Sequence, residues 1–128
     1  MSPPALTTLE AVERACLAKA GALLDYPFGP GTLVFKLGGR TGGRMFALVP
    51  ADAETLEISL KCEPELAELL RANYDAVRPG YHLDKRHWNT VRLDGSVSDD
   101  TLLQLIDISY ELVAAKLSAA QRRALAGS

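Results

Sequence analysis

The residues best placed to do chemistry in this chain fall into four small groups, and each lacks a part its chemistry needs. Gly38, Gly43, Arg44 and Met45 echo the spacing of a phosphate-binding loop. The lysine and hydroxyl residue that would grip phosphate and magnesium are replaced by Arg44 and Met45, and a strand is expected to follow instead of a helix. A hairpin tip is the better reading. His82 and His87 stand close together on a predicted hairpin, with Cys62 the remote residue that could join them. Two imidazoles without a third donor nearby read as surface or hydrogen-bonded histidines, so no metal and no cofactor is expected. Cys62 follows Lys61, a setting that can lower a thiol pKa, but a cysteine at a strand end needs no such role. Asp99, Asp100, Asp107 and Glu111 are spread along a predicted helix without forming a dyad, and no GxSxG motif is present. No catalytic residue is assigned, and the expectation is a protein that is not an enzyme.

What remains is a set of cations around a single tryptophan. The formal charge of −2, from 14 basic and 16 acidic residues, is unevenly spread. Lys36, Arg40 and Arg44 occupy a stretch without acids, and Asp52, Glu54 and Glu57 follow in a stretch without cations. Lys85, Arg86 and Arg92 then come with Asp84, Asp94 and the two histidines. A mildly acidic chain is not an obvious nucleic-acid binder, yet binding responds to local potential. Trp88 has two readings. On a covered face it is core; on an open face beside Lys36, Lys61 and Arg92 it would stack bases or anchor a protein partner.

These residues must be positioned by one domain, since 128 residues suffice for a single core. With 48% apolar and 23% charged residues, general disorder is excluded. No apolar run approaches the ~20 residues of a membrane span, so no membrane partner is expected. The first residues, Met1 to Leu6, lack the basic and apolar regions of a signal peptide. Cys16 and Cys62 have no paired spacing, and a reducing cytoplasm is the expected location.

Thr7-Thr8-Leu9-Glu10 reads as a capping box that opens a helix running to Gly21 or Leu24, with Val12 and Cys16 on its apolar stripe. Thr32–Leu37, Arg44–Val49 and Leu56–Lys61 alternate as strands of an antiparallel meander. Pro64 opens a second helix to about Asn73. Tyr81–Leu83 and Trp88–Leu93 read as a second hairpin with Asp84-Lys85-Arg86-His87 at its tip. Ser98, Asp99 and Asp100 start the last helix, and the tail from Gln121 should fray. The expected fold is α+β, in the order α-β-β-β-α-β-β-α: an antiparallel sheet of about five strands with helices on one face. The domain is 1–128, ordered over about 7–118. Leu33, Phe35, Ile58 and Leu60 should be buried, leaving Lys36, Lys61, Trp88 and Arg92 on the open face.

Several blocks then align with a known family. They are Tyr26-Pro27-Phe28-Gly29-Pro30-Gly31-Thr32, Lys36, Gly43-Arg44-Met45-Phe46-Ala47-Leu48 and Leu60-Lys61-Cys62-Glu63-Pro64-Glu65. The run from Pro79-Gly80-Tyr81-His82 to Trp88-Asn89-Thr90-Val91 is the most specific, and Ile108-Ser109-Tyr110-Glu111-Leu112-Val113 follows. In this order they resemble the MmcQ/YjbR family. The resemblance implies a CyaY-like (frataxin-like) fold, a bacterial cytoplasmic protein and double-wing DNA binding without catalysis. Its wings would be the Arg40/Arg44 hairpin and the Lys85-Arg86-His87-Trp88 hairpin, with Lys36, Lys61 and Arg92 between them. The alternative is a protein partner on the same face. Arg44 stands where the family usually has lysine, and the loop 38–43 is longer and richer in glycine than its pattern. Iron binding, which frataxin likeness would suggest, lacks its acidic ridge, because Arg14 and Lys19 interrupt Glu10, Glu13 and Asp25.

Overall fold

The computed structural model describes residues 6–39, 42–80 and 83–126. Arg40 and His82, both named above, lie outside the described residues, as does Tyr81. The chain runs α1 (Leu9–Leu17), β1 (Leu23–Asp25), β2 (Thr32–Leu37), β3 (Arg44–Pro50), β4 (Glu57–Lys61), α2 (Pro64–Asn73), β5 (Val77–Pro79), β6 (Trp88–Arg92), α3 (Asp99–Ala114) and α4 (Ala119–Ala126). The strands form one antiparallel sheet in the order β1-β2-β3-β4-β6-β5. Among the described residues, no helix is long and apolar enough to cross a membrane.

Alternation decides the two faces. Leu33, Phe35, Leu37, Ile58 and Leu60 are all buried, and they share one cluster with Val12 and Cys16 of α1 and Ile106 and Val113 of α3. Helices therefore cover this face, as the apolar spacing predicted. Register places Val34, Leu48, Ser59 and Thr90 on the opposite, open face.

The ladder breaks once. Between Phe35 and Lys36 the β3 partner jumps from Ala47 to Met45, which leaves Phe46 as the extra residue of a bulge. Its buried ring meets Tyr110 of α3 edge-on, with centroids 5.6 Å apart. Burying a ring of that size contributes about 1.5–3 kcal/mol. Ser109 fills the gap beside the bulge. Its hydroxyl donates to the Phe46 carbonyl (2.5 Å) and accepts from the Lys61 amide (2.8 Å). One side chain of α3 thereby replaces a missing link between β3 and β4.

Four expectations are corrected. The helix-1 cap is Thr8, whose side chain accepts from the Ala11 amide, and the helix ends at Leu17. Gly21 then takes a left-handed φ of 73° and leads into β1, an edge strand that raises the count from about five to six. The strand facing β6 is Val77–Pro79, where proline is tolerated because β5 is an edge; of the expected strand Tyr81–Leu83 only Leu83 is among the described residues, and it lies outside any strand. The tail does not fray at Gln121. It forms α4, held by Gln121 donating to the Gly38 carbonyl (3.1 Å) and by Leu125 packing on Gly21.

Candidate nucleic-acid interface

Strand direction sorts the charged residues. The β2–β3 turn, the end of β4 at Lys61 and the loop 80–87 all lie at one end of the sheet, because Leu37 faces Arg44 and Lys61 faces Trp88. The residues that flank both basic loops thus lie at the same end. Two to three strand spacings separate them at their bases, about 10–14 Å. Arg44, Lys85 and Arg86 are exposed and Lys61 is half-buried. Among the described residues, none of the four has an ion-pair partner.

The second loop is built around Asp84. Its carboxylate accepts from the Arg86 amide (3.0 Å) and pairs with His87 Nδ1 (2.9 Å), while its carbonyl accepts from the Trp88 amide (2.9 Å). The hydrogen bond from His87, followed by that from the Arg86 amide, holds the Asp84 carboxyl below its usual range. Arg71 of α2 pins the same loop from behind. Its guanidinium donates to the Lys85 carbonyl, to Asn89 Oδ1 (2.6 Å) and to the Trp88 carbonyl (3.4 Å). Sequence reasoning missed Arg71, since a basic residue in a last helical turn is adequately explained by the helix dipole.

Lys36 and Arg92 do not join this set. Lys36 is ion-paired with Asp25 at 3.6 Å, its side chain only 14% exposed. Arg92 sits at the far end of β6, roughly 13 Å from Trp88 along the strand. It pairs with Asp94 at 2.7 Å, and Asp75 and Glu57 add to the negative field around it. The open face therefore presents cations that are already ion-paired, while the end of the sheet presents cations that, among the described residues, are not.

Trp88 matches neither simple reading. It is half-buried, with its Cβ against Gly80, where an added Cβ would meet it at 2.9 Å. It borders a cleft of about 380 Å³ with Lys61, Cys62, His87, Leu112 and Lys116. Cys62 is buried, and burial pushes its thiol up despite the Glu63 amide. A protonated thiol falls short of the thiolate that nucleophilic chemistry requires. Cys62 meets His87 through the backbone, its amide donating to the His87 carbonyl at 2.7 Å. Cys16 is pushed up to about 12, again by burial. Among the described residues, no three His, Cys, Asp or Glu side chains are grouped to hold a metal ion.

Comparison with known proteins fits the blocks noted above. The YjbR family model matches residues 17–112, three-quarters of the chain. The chain belongs to the YjbR family. It is 44% identical to the uncharacterised protein YjbR of Escherichia coli K12 over 81 residues, which span 63% of this chain and 69% of that one. The uncharacterised protein YbdF of Escherichia coli O157:H7 is 35% identical over 104 residues, 81% of this chain and 82% of that one. In structure it resembles a Deinococcus radiodurans protein with a DUF419 domain. That likeness has a TM-score of 0.86 at 39% identity, over 94% of this chain and 89% of that one. A Pseudomonas syringae protein is similar at a TM-score of 0.71 and 27% identity, over 83% of this chain and 98% of that one.

Proposed function

We propose that this YjbR-family chain binds double-stranded DNA through the basic end of its sheet, with the loops 38–43 and 80–87 acting as paired wings and no catalysis. The observation that carries the reading is the convergence of Arg44, Lys61, Lys85 and Arg86 at one end, where they outnumber Asp84, the one acid of the two loops, which is itself paired with His87. Phosphate contacts supply most of the sequence-independent affinity for DNA. The spacing of the loops at their bases is close to the ~12 Å width of the major groove. The open face has a smaller part than the sequence suggested, because Lys36 and Arg92 are engaged. A CyaY-like class for the fold and a cytoplasmic location belong to the same reading. Two free, buried cysteines suit a reducing compartment.

Fluorescence anisotropy of a labelled duplex at several salt concentrations tests this. Four phosphate contacts give a log–log slope of roughly −3.6. A flat dependence, or no binding at ~50 mM salt, would overturn the DNA reading and turn the basic end toward an acidic protein surface.

A further inference from the structure

A second cavity lies on the open face and reaches the loop 80–87 through Leu83. This groove of about 320 Å³ runs across β2, β3, β4 and β6, near the lower limit of ligand pockets, which span roughly 300–1,000 Å³. Its walls are Leu48, Leu83 and Phe28, whose ring is 67% exposed. Pro27 and Pro30 flank Phe28, and the Gly29 amide closes a turn on the Tyr26 carbonyl at 3.2 Å. A large apolar ring is thereby held in water on a stiff connection, at a low entropic cost for any partner it stacks upon.

The floor is polar in a specific way. Ser59 and Thr90 face each other across β4 and β6, both buried, with their hydroxyl oxygens 2.9 Å apart. Two hydroxyls carry two protons, and the bond between them uses one. Whichever group donates, the other keeps a proton for which the described residues offer no acceptor. That proton faces the groove, where water or a ligand oxygen can accept it. The remaining wall is the ion pair between Arg78 and Glu57, whose charges cancel. A charged ligand would have to compete with that pair, whereas a neutral one would not.

We infer that the groove binds an uncharged small molecule with one or two flat rings and a carbonyl oxygen. The rings lie against Phe28 and Leu83, and the carbonyl accepts the spare Ser59/Thr90 proton. The inference is independent of the DNA reading.

The test titrates 2-quinolone into isotope-labelled protein and follows amide chemical shifts, with indole, which has no accepting lone pair, and quinoline-2-carboxylate as comparators. Shifts should cluster at Leu48, Ser59, Leu83 and Thr90, with 2-quinolone the tightest of the three. Phe28→Ala, at an exposed position that leaves the fold intact, should weaken it about 3- to 10-fold, the worth of one aromatic contact. Ser59→Ala with Thr90→Val should remove the preference for 2-quinolone over indole. Absence of clustered shifts at millimolar 2-quinolone, or equal binding of the three compounds, would overturn the inference. So would unchanged affinity in Phe28→Ala.

Discussion

At the end of the sheet where β2 turns into β3 and β5 connects to β6, Arg44, Lys61, Lys85 and Arg86 form no ion pair among the described residues, and Asp84 of the same loop is taken by His87. At the other end, the loops after β3 and β6 and before β5 carry Asp52, Glu54, Asp75 and Asp94, and the nearest cation, Arg92, is already bound to Asp94. The same four long strands join both ends, so the charge difference comes from the connections and from the strand ends, where Arg44 and Lys61 sit. A net charge of −2 therefore conceals a molecule with a field along the strands. The comparison also shows why counting cations on a face misleads: what matters is whether the fold has already given each one an acid.

The sharpest way to break this contrast is to reverse charge at the basic end. Lys85→Glu with Arg86→Glu should lower duplex affinity roughly 10- to 100-fold at low salt, since two attractions become repulsions. The melting temperature should scarcely change, because both side chains are exposed. Equal affinity in the reversed protein would remove the second wing from the interface.

Ser109→Ala probes the join behind that end. It leaves the Lys61 amide and the Phe46 carbonyl without their shared partner, and should cost about 1–3 kcal/mol in denaturant unfolding. A loss below 0.5 kcal/mol would mean that β3 and β4 close the gap by themselves.

Arg71→Ala tests whether loop geometry matters as well as loop charge. It removes three donated hydrogen bonds from behind the second loop without removing a residue of the interface. Duplex affinity should fall about threefold, the scale of one lost hydrogen bond, with the salt slope unchanged. A lower slope would place Arg71 on the phosphates directly.

The smallest effects belong to the acidic end. Arg92→Ala should alter duplex affinity less than twofold, since the Asp94 pair already neutralises it. Hydrogen bonds from Ser96 and Arg92 hold the Asp94 carboxyl well below the usual range. A carboxyl lowered by folding stabilises the protein above its unfolded pKa of ~3.9, and that contribution is lost as pH falls. Thermal unfolding should thus separate Asp94→Asn from the parent at pH 7, and the difference should shrink below about pH 4. A constant difference down to pH 2 would count against this linkage.

Much of the scaffold was legible because strand alternation is strict where one face is buried. Leu33, Phe35, Ile58 and Leu60 could be assigned to the core from spacing alone, and Pro64 and Ser98 marked two helix starts. β1 was not legible, since Leu23–Asp25 is too short to show a period and becomes a strand only through pairing with β2. α4 was missed for a similar reason: its hold depends on Gly21 and Gly38, far away in sequence. At the site, the loop cations were readable but their partners were not. Asp25 against Lys36 is a contact between neighbouring strands, and no local pattern announces it.

The hydroxyl of Ser109 has one more consequence. Most amides in a sheet are shielded by the neighbouring strand, but the Lys61 amide is shielded by a helix. Its exchange with deuterated water is therefore gated by the docking of α3 and not by the fraying of β3 from β4. A single amide signal, next to one of the cations at the basic end, thus works as a built-in gauge of whether the helical layer is seated on the sheet.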